Sequence, residues 1–331
     1  MNDFCSPVGR LAPSPTGLLH LGNIWSFMLA WLSAKSKHGR IVLRMEDIDP
    51  CRSQTHFASA ILDDLSWIGL DWDEGPDVGG MNGPYTQSLR TALYTKALET
   101  LEKRGQLYPC FCTRKELKSL PSAPHNDDVG PVYPGTCRTL SFAERSARIR
   151  RGAHYALRLL CTEDCVRFDD QLLGEQVISQ KMWGGDFALR RSDGVFAYQL
   201  AVAIDDSCMG ITEVVRGRDL LLSTPRQLLI LEMLHMRKPE LYLHVPLLLD
   251  VNGERLAKRH KSLSLAFLRS RGVDPKQIVG LLAYLAGMNP DKTSLSLPSL
   301  LPRFHPDLLP RNDCRITEDI WSSFVPGIAC S

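Results

Sequence analysis

The sequence predicts an α/β fold built on a doubly wound parallel sheet. Three stretches carry that expectation. Pro7 to Leu11 reads as a strand that stops at a Pro-rich turn. Ile24 to Lys37, "IWSFMLAWLSAKSK", has the pattern of an amphipathic helix. "GRIVLRMEDID" then reads as a buried strand, Ile41 to Met45, with acids emerging at its end. Strand, loop, helix, strand is a βαβ unit, which joins parallel strands through a crossover helix.

The later elements are justified in the same way. "ASAILDDLSWIGL" is a second helix. From about Tyr108 the texture changes to Cys, Pro and Asn/Asp, with only short periodic runs such as "HYALRLL" and "GDFALRR". That change marks an inserted module. Apolar patterning returns with "FAYQLAVAIDD" and "ITEVVRG". "TPRQLLILEMLHM" reads as a helix with Thr224 at the N-cap and Pro225 at the first helical position. "LYLHVPLLLD" reads as one more buried strand, followed by an "NGE" turn, and helical stretches such as "PKQIVGLLAYLAGM" fill the tail.

The totals exclude several classes. A chain of 331 residues fits two or three domains. Its 39 basic and 37 acidic residues give a net charge of +2, so any nucleic-acid contact must come from local clusters. "MNDFCSPVGR" lacks the apolar run of a secretory signal, and no stretch is long and clean enough to span a bilayer. A cytoplasmic protein without membrane contact is expected. The ten cysteines are then thiols or metal ligands rather than a disulfide framework.

Two stretches carry candidate chemistry. In "APSPTGLLHLGN", Gly17 and Gly22 let the backbone approach a ligand, and the following helix N-terminus favours an anion. Thr16 and His20, four apart, can face that anion together. On Gly and Pro content alone, a plain strand-to-helix turn with His20 as a cap is the reading to prefer. In "NGERLAKRHKSLS", Arg255, Lys258, Arg259 and Lys261 crowd together after a strand. A solvated charged loop is the common fate of such a run. The functional reading is a clamp on phosphate charge.

Taken together, "RLAPSPTGLLHLGN" and "RLAKRH" resemble the HIGH and KMSKS elements of class I aminoacyl-tRNA synthetases. "RMEDIDP", "WIGLDWDEGP", "GPYTQS", "VVRGRDLLLSTPRQ" and "LYLHVPLLL" resemble blocks of the glutamyl branch, in that family's order, over roughly residues 8 to 290. About seventy residues follow the second motif, without the usual helical anticodon-binding part. This resembles the short paralogues of the branch, the glutamyl-queuosine tRNA(Asp) synthetases.

The resemblance implies a fold, partners and roles. It implies a Rossmann-type catalytic domain in two halves, 1–107 and 198–262. An inserted zinc-containing module, 108–197, and a short helical part, 263–331, complete it, with no anticodon-binding domain. It implies activation of L-glutamate by ATP with Mg²⁺, without tRNA, and transfer to the queuosine base of tRNA(Asp) by a monomer. His20, Thr16 and Lys258 would act on phosphate, with Gly17 and Gly22 allowing close approach. The run Arg10, Leu11, Ala12, Pro13 and Ser14 would line the glutamate pocket, with Arg10 on the γ-carboxylate. Glu46 would hold the ammonium, and Tyr198 and Arg216 would complete the pocket. Cys110, Cys112, Tyr133 and Cys137 match the family's Cys-x-Cys…Tyr-x-x-x-Cys ligands for one structural Zn²⁺, with His125 a spare.

Several readings remain beside these. Arg255 and Ala257 depart from the family's Lys-Leu-Ser-Lys. Asp47 and Asp49 read as turn and capping residues, and Asn23 has no catalytic role. Cys161 and Cys165 read as core packing. Arg145 to Arg151 and the pair Arg190–Arg191 lie along an anticodon stem or on a solvated helix face. A truncated enzyme charging a tRNA 3′ end, a non-catalytic glutamate- or tRNA-binding paralogue and, more weakly, a small-molecule nucleotidylyltransferase are the alternatives.

Overall fold

The computed structural model describes residues 6–118, 133–256 and 263–328. β1 (Val8–Leu11) and β2 (Arg40–Leu43) pair in parallel, with α1 (Leu21–Lys35) crossing between them. α1 starts three residues before the apolar pattern does. The reason is a capping box: Gly22 N donates to His20 Nδ1 and His20 N donates to the Asn23 side chain. It ends two residues early, before the tight return at Gly39. A Cβ there would lie 2.4 Å from the Pro7 carbonyl oxygen. α1 buries ten residues, Trp25, Met28 and Leu32 among them, so it is a core helix covered on most sides.

α2 (Thr55–Ile68) ends on Gly69 at φ +89°, a left-handed cap that glycine adopts without strain. α3 (Thr91–Lys103) leads to β3 (Leu107–Cys110), then α4 (Arg114–Lys118) and α5 (Phe142–Arg150), which buries no residue. β4 (Ala156–Leu159) pairs antiparallel with β3. β5 (Cys165–Asp170) and β6 (Gly174–Ser179) form a hairpin, followed by α6 (Gln180–Trp183) and β7 (Ala188–Arg190), which pairs with β4. α7 (Tyr198–Cys208), β8 (Glu213–Gly217), α8 (Ser223–Leu234) and β9 (Leu241–Val245) then complete the second parallel unit. β8 and β9 run parallel from Glu213 opposite Leu241 to Gly217 opposite Val245.

The two parallel units meet at β1 and β8. Val8 N donates to Thr212 Oγ1 and Thr212 N donates to the Val8 carbonyl, each at 2.9 Å. The β5–β6 hairpin extends the sheet beyond β9, joined in parallel at Asp170 opposite Tyr242. This sheet therefore runs across the expected boundary at 197. β10 (Leu248–Leu249), α9 (Leu265–Ser270), α10 (Pro275–Leu285), β11 (Cys314–Arg315) and α11 (Glu318–Phe324) finish the chain, with β10 and β11 paired in parallel. No described helix is long and apolar enough to cross a membrane.

Three local expectations are corrected. "LYLHVPLLLD" is two strands, because Pro246 has no N–H for a ladder and its carbonyl accepts from Trp25 Nε1 at 2.7 Å. Thr224 is inside α8 and caps nothing; its hydroxyl faces Arg216, and Pro225 stands at the third helical position. Cys161 is buried as expected, whereas Cys165 at the start of β5 is exposed.

α7 is fixed to the rest by Asp205, fully buried. Its carboxylate accepts from Arg90 Nε at 2.6 Å, Tyr94 OH at 2.8 Å and Gln87 Nε2 at 3.0 Å. Removing one member of such a set leaves a buried charge without its partner. Asp205→Ala is expected to lower unfolding stability by about 3–5 kcal/mol, read from the denaturant midpoint. A loss below about 1 kcal/mol would show that Arg90 finds another partner.

Candidate functional site

One cavity of about 800 Å³ opens at the C-terminal ends of β1, β2 and β8. Ligands collect there in doubly wound sheets, because the strand order reverses and leaves a crevice. Thr16, Gly17, His20 and Gly22 line one part of it. Arg10, Ala12, Pro13, Ser14, Glu46, Tyr198 and Arg216 line another part. Leu11 is the exception: it is fully buried in the hydrophobic core, because alternate residues of a strand face opposite ways.

Beneath the cavity lies a buried ionic cluster. Arg44, fully buried, donates to Glu46 at 3.0 Å and to Asp206 at 2.7 Å, and stands 3.9 Å from Asp205. Burial alone lowers its affinity for a proton. The three carboxylates more than offset that and hold it above its ordinary value. Arg10 reaches the Val215 carbonyl at 2.9 Å and lies 3.6 Å from Asp206. Burial pushes Arg10 down and Asp206 opposes it. Burial likewise pushes the Glu46 carboxyl up, against Arg44.

Arg216 is held differently. It donates to His244 Nε2 at 3.1 Å, Gln227 Oε1 at 2.9 Å and Thr224 Oγ1 at 2.7 Å. All three partners are neutral. His244 Nε2 accepts, so its Nδ1 carries the proton and donates to Asp170 Oδ2 at 2.7 Å. Burial, helped by the Arg216 charge, pushes His244 down to about 4, although Asp170 pulls the other way. Among the described residues no carboxylate pairs with Arg216, so its charge remains available to an anionic ligand.

The stretch around His20 meets the residues that flank the basic run, Leu256 and Ser264. His20 Nδ1 is engaged in the helix cap, which leaves the ring proton on Nε2. The plain capping reading and the cavity-lining one therefore both hold for His20. His20 also forms an antiparallel bridge with Ser264, and a Cβ on Gly22 would lie 3.1 Å from the imidazole and 3.6 Å from Leu256. Leu256 and Ser264 flank Lys258, which with Ala257, Arg259 and Lys261 lies outside the described residues. Arg255 lines the cavity and pairs with Asp219.

The cysteines form a separate centre. The Sγ atoms of Cys110, Cys112 and Cys137 lie within 4.8 Å of one another, and Cys112 and Cys137 are 3.7 Å apart. Tyr133 OH is 3.5 Å from Cys110 Sγ and accepts from Cys137 N at 2.8 Å. His125 lies outside the described residues. Burial pushes the Cys110 thiol up, but Tyr133 and the Arg158 guanidinium outweigh it and hold the thiol below its usual range.

Of the basic runs, Arg191 is neutralised by Asp49 at 2.7 Å and by Asp193. Arg145 donates to the Arg138 carbonyl at 2.8 Å, while Arg148 and Arg150 on α5 are exposed. Asp49 is thus an ion-pair partner as well as a turn residue, and Asp47 accepts from Ser88 N and Oγ. Sequence reasoning missed Arg44, Asp170, Asp206, Gln227, His244 and Arg158. Arg44 and Arg158 carried a signal, an arginine inside an apolar strand run.

Comparison with known proteins agrees with this geometry. The family model for tRNA synthetases class I (E and Q), catalytic domain, matches residues 8–296. A glutamyl-Q tRNA(Asp) synthetase of Nitratidesulfovibrio vulgaris is 57% identical over 283 residues, 86% of this chain and 87% of that one. A glutamyl-Q tRNA(Asp) synthetase of Symbiobacterium thermophilum is 47% identical over 322 residues, 97% of this chain and 99% of that one. The crystal structure of a glutamate-tRNA synthetase from Elizabethkingia anophelis superposes with a TM-score of 0.82 at 26% identity, covering 97% of this chain and 70% of that one. With these matches over nearly the whole length, the chain belongs to the class I tRNA synthetase family of the E and Q type, in the group of the glutamyl-Q tRNA(Asp) synthetases.

Proposed function

We propose that this chain activates L-glutamate with ATP as glutamyl-adenylate, without requiring tRNA, and transfers glutamate to the queuosine base in the anticodon of tRNA(Asp). The observation that carries this reading is Arg216. Its buried charge is held only by neutral groups, in the same cavity as the capped N-terminus of α1. An anionic substrate and a nucleotide phosphate fit that division.

In this reading Arg10 and Arg216 hold the glutamate carboxylates. Glu46 takes the ammonium, and Ser14 and Tyr198 fix the side chain. The α-carboxylate oxygen attacks the α-phosphorus of ATP and pyrophosphate leaves. No protein nucleophile is required, so catalysis is positioning and stabilisation of phosphate charge. His20, through its Nε2–H, and Thr16 contact phosphate oxygens, with Gly17 and Gly22 giving clearance. Lys258 reaches the departing pyrophosphate. A queuosine ring hydroxyl then attacks the adenylate carbonyl and AMP leaves. Mg²⁺ accompanies ATP.

The cysteine centre fits one structural Zn²⁺. With Zn–S near 2.3 Å and Zn–O near 2.0 Å, tetrahedral ligands stand about 3.8 Å apart for two sulfurs and about 3.5 Å for sulfur and oxygen. Cys112–Cys137 at 3.7 Å and Cys110–Tyr133 at 3.5 Å agree with those edges. Four protein ligands close the site, which makes it structural. In this reading 108–197 is the zinc-bearing insert between catalytic halves 1–107 and 198–262, and 263–331 is the helical C-terminal part.

Lys258→Ala is expected to cut glutamate-dependent ATP–pyrophosphate exchange by about 10²–10³-fold; unchanged exchange removes Lys258 from the mechanism. Labelled glutamate is expected on tRNA(Asp) lacking its 3′-terminal adenosine and absent from tRNA(Asp) with guanine in place of queuosine. The reverse pattern favours the 3′-charging alternative. The pH dependence has a defined sign. The folded His244 value of about 4 lies below the ordinary 6.5. Its contribution is therefore complete above 6.5 and lost as pH falls towards 4. Protonated His244 cannot accept from Arg216, so glutamate KM is expected to rise through that window. His244→Gln, which cannot titrate, is expected to flatten that limb; an unchanged limb assigns the titration elsewhere.

A further inference from the structure

Arg158 stands in β4 opposite Tyr108, at a step where the pairing with β7 shifts register. It is only 8% exposed. Its Cζ lies 3.8 Å from the centre of the Tyr133 ring. Its Nη1 donates to the Asp186 backbone carbonyl at 2.8 Å, and its Nε has no hydrogen-bond partner. The Asp186 carboxylate is engaged by Tyr108 OH, Cys161 N and Arg138. Among the described residues no carboxylate forms an ion pair with Arg158. A buried cation without a counter-charge is strongly destabilising.

The missing counter-charge is next to it. Three thiolates and one phenolate carry two more negative charges than a divalent ion neutralises. Two backbone donors already point at this set, Phe111 N to Cys137 Sγ at 3.4 Å and Cys137 N to Tyr133 OH at 2.8 Å. Such donors supply partial charges only, whereas Arg158 supplies a full one on the face of the oxygen ligand's ring. We propose that Arg158 is the internal counter-ion of the metal centre: stacked on Tyr133, it offsets the excess negative charge of the ligand set and raises metal affinity. The proposal rests on the zinc reading above. It makes Arg158 a positioning residue, acting through the ligand set it packs against.

The test is zinc affinity of the full chain by competition with a chelating dye, with absorption of the cobalt-substituted protein as a second readout. Arg158→Gln keeps a donor for the Asp186 carbonyl and removes the charge. It is expected to weaken zinc binding by about 10–100-fold. Arg158→Lys keeps the charge and loses the planar fork, and is expected to retain most of the affinity. A purely structural role through the fork would make both variants equally weak and overturn the proposal. Arg148→Gln, the same charge change on exposed α5 with Cζ 5.4 Å above the Phe111 ring, is expected to change nothing. In Tyr133→Phe the phenolate charge is gone, so adding Arg158→Gln is expected to cost much less than in the parent chain; equal costs overturn the proposal. If the parent chain binds zinc and Arg158→Gln binds as tightly, the counter-ion role alone falls. If the parent chain binds no zinc, the zinc reading falls and takes the counter-ion role with it.

Discussion

Arg44 is fully buried and answers three carboxylates, those of Glu46, Asp206 and Asp205. Glu46 follows β2, and the two aspartates lie on α7. Taking a guanidinium out of water is costly, and breaking such a set after burial leaves an uncompensated charge. The two halves of the parallel sheet are therefore locked together at the cavity floor by one side chain. Arg10, on β1, shares Asp206 and so depends on the same set. Every group assigned to glutamate on this side inherits its position from Arg44.

The opposite wall follows a different rule. Arg216 is kept charged and buried by the neutral groups Thr224, Gln227 and His244. Charged hydrogen bonds to neutral acceptors orient a guanidinium without cancelling its charge. Asp170 fixes the His244 tautomer, so the β5–β6 hairpin reaches the site although none of its residues lines the cavity. One wall thus presents a cation saturated by carboxylates and the other a cation held by neutral acceptors.

The cysteine cluster repeats this use of buried charge. Tyr133 and the three cysteines are brought together from both sides of residues 119–132, and Arg158 closes the set from β4. In each centre an arginine stands where simple apolar packing would leave anions without compensation.

The sequence by itself determined the βαβ units, the signature stretches and the ligand spacing, because these are local patterns of period, turn chemistry and residue identity. It placed Arg10, Glu46, Arg216 and His20 at the ends of the right elements. It also left His20 between cap and phosphate contact, and Cys165 and Thr224 were misread. Tertiary structure decided the cap at His20, the exposure of Cys165 and the place of Thr224, since capping, exposure and the partner of a hydroxyl depend on what packs against them. It alone decided the contacts of Arg44, Asp206, His244 and Arg158. Most of their partners are remote in sequence, from 25 residues for Arg158 and Tyr133 to 196 for Asp206 and Arg10. A buried arginine and a solvated one read alike along a chain; only the fold removes the water that separates them.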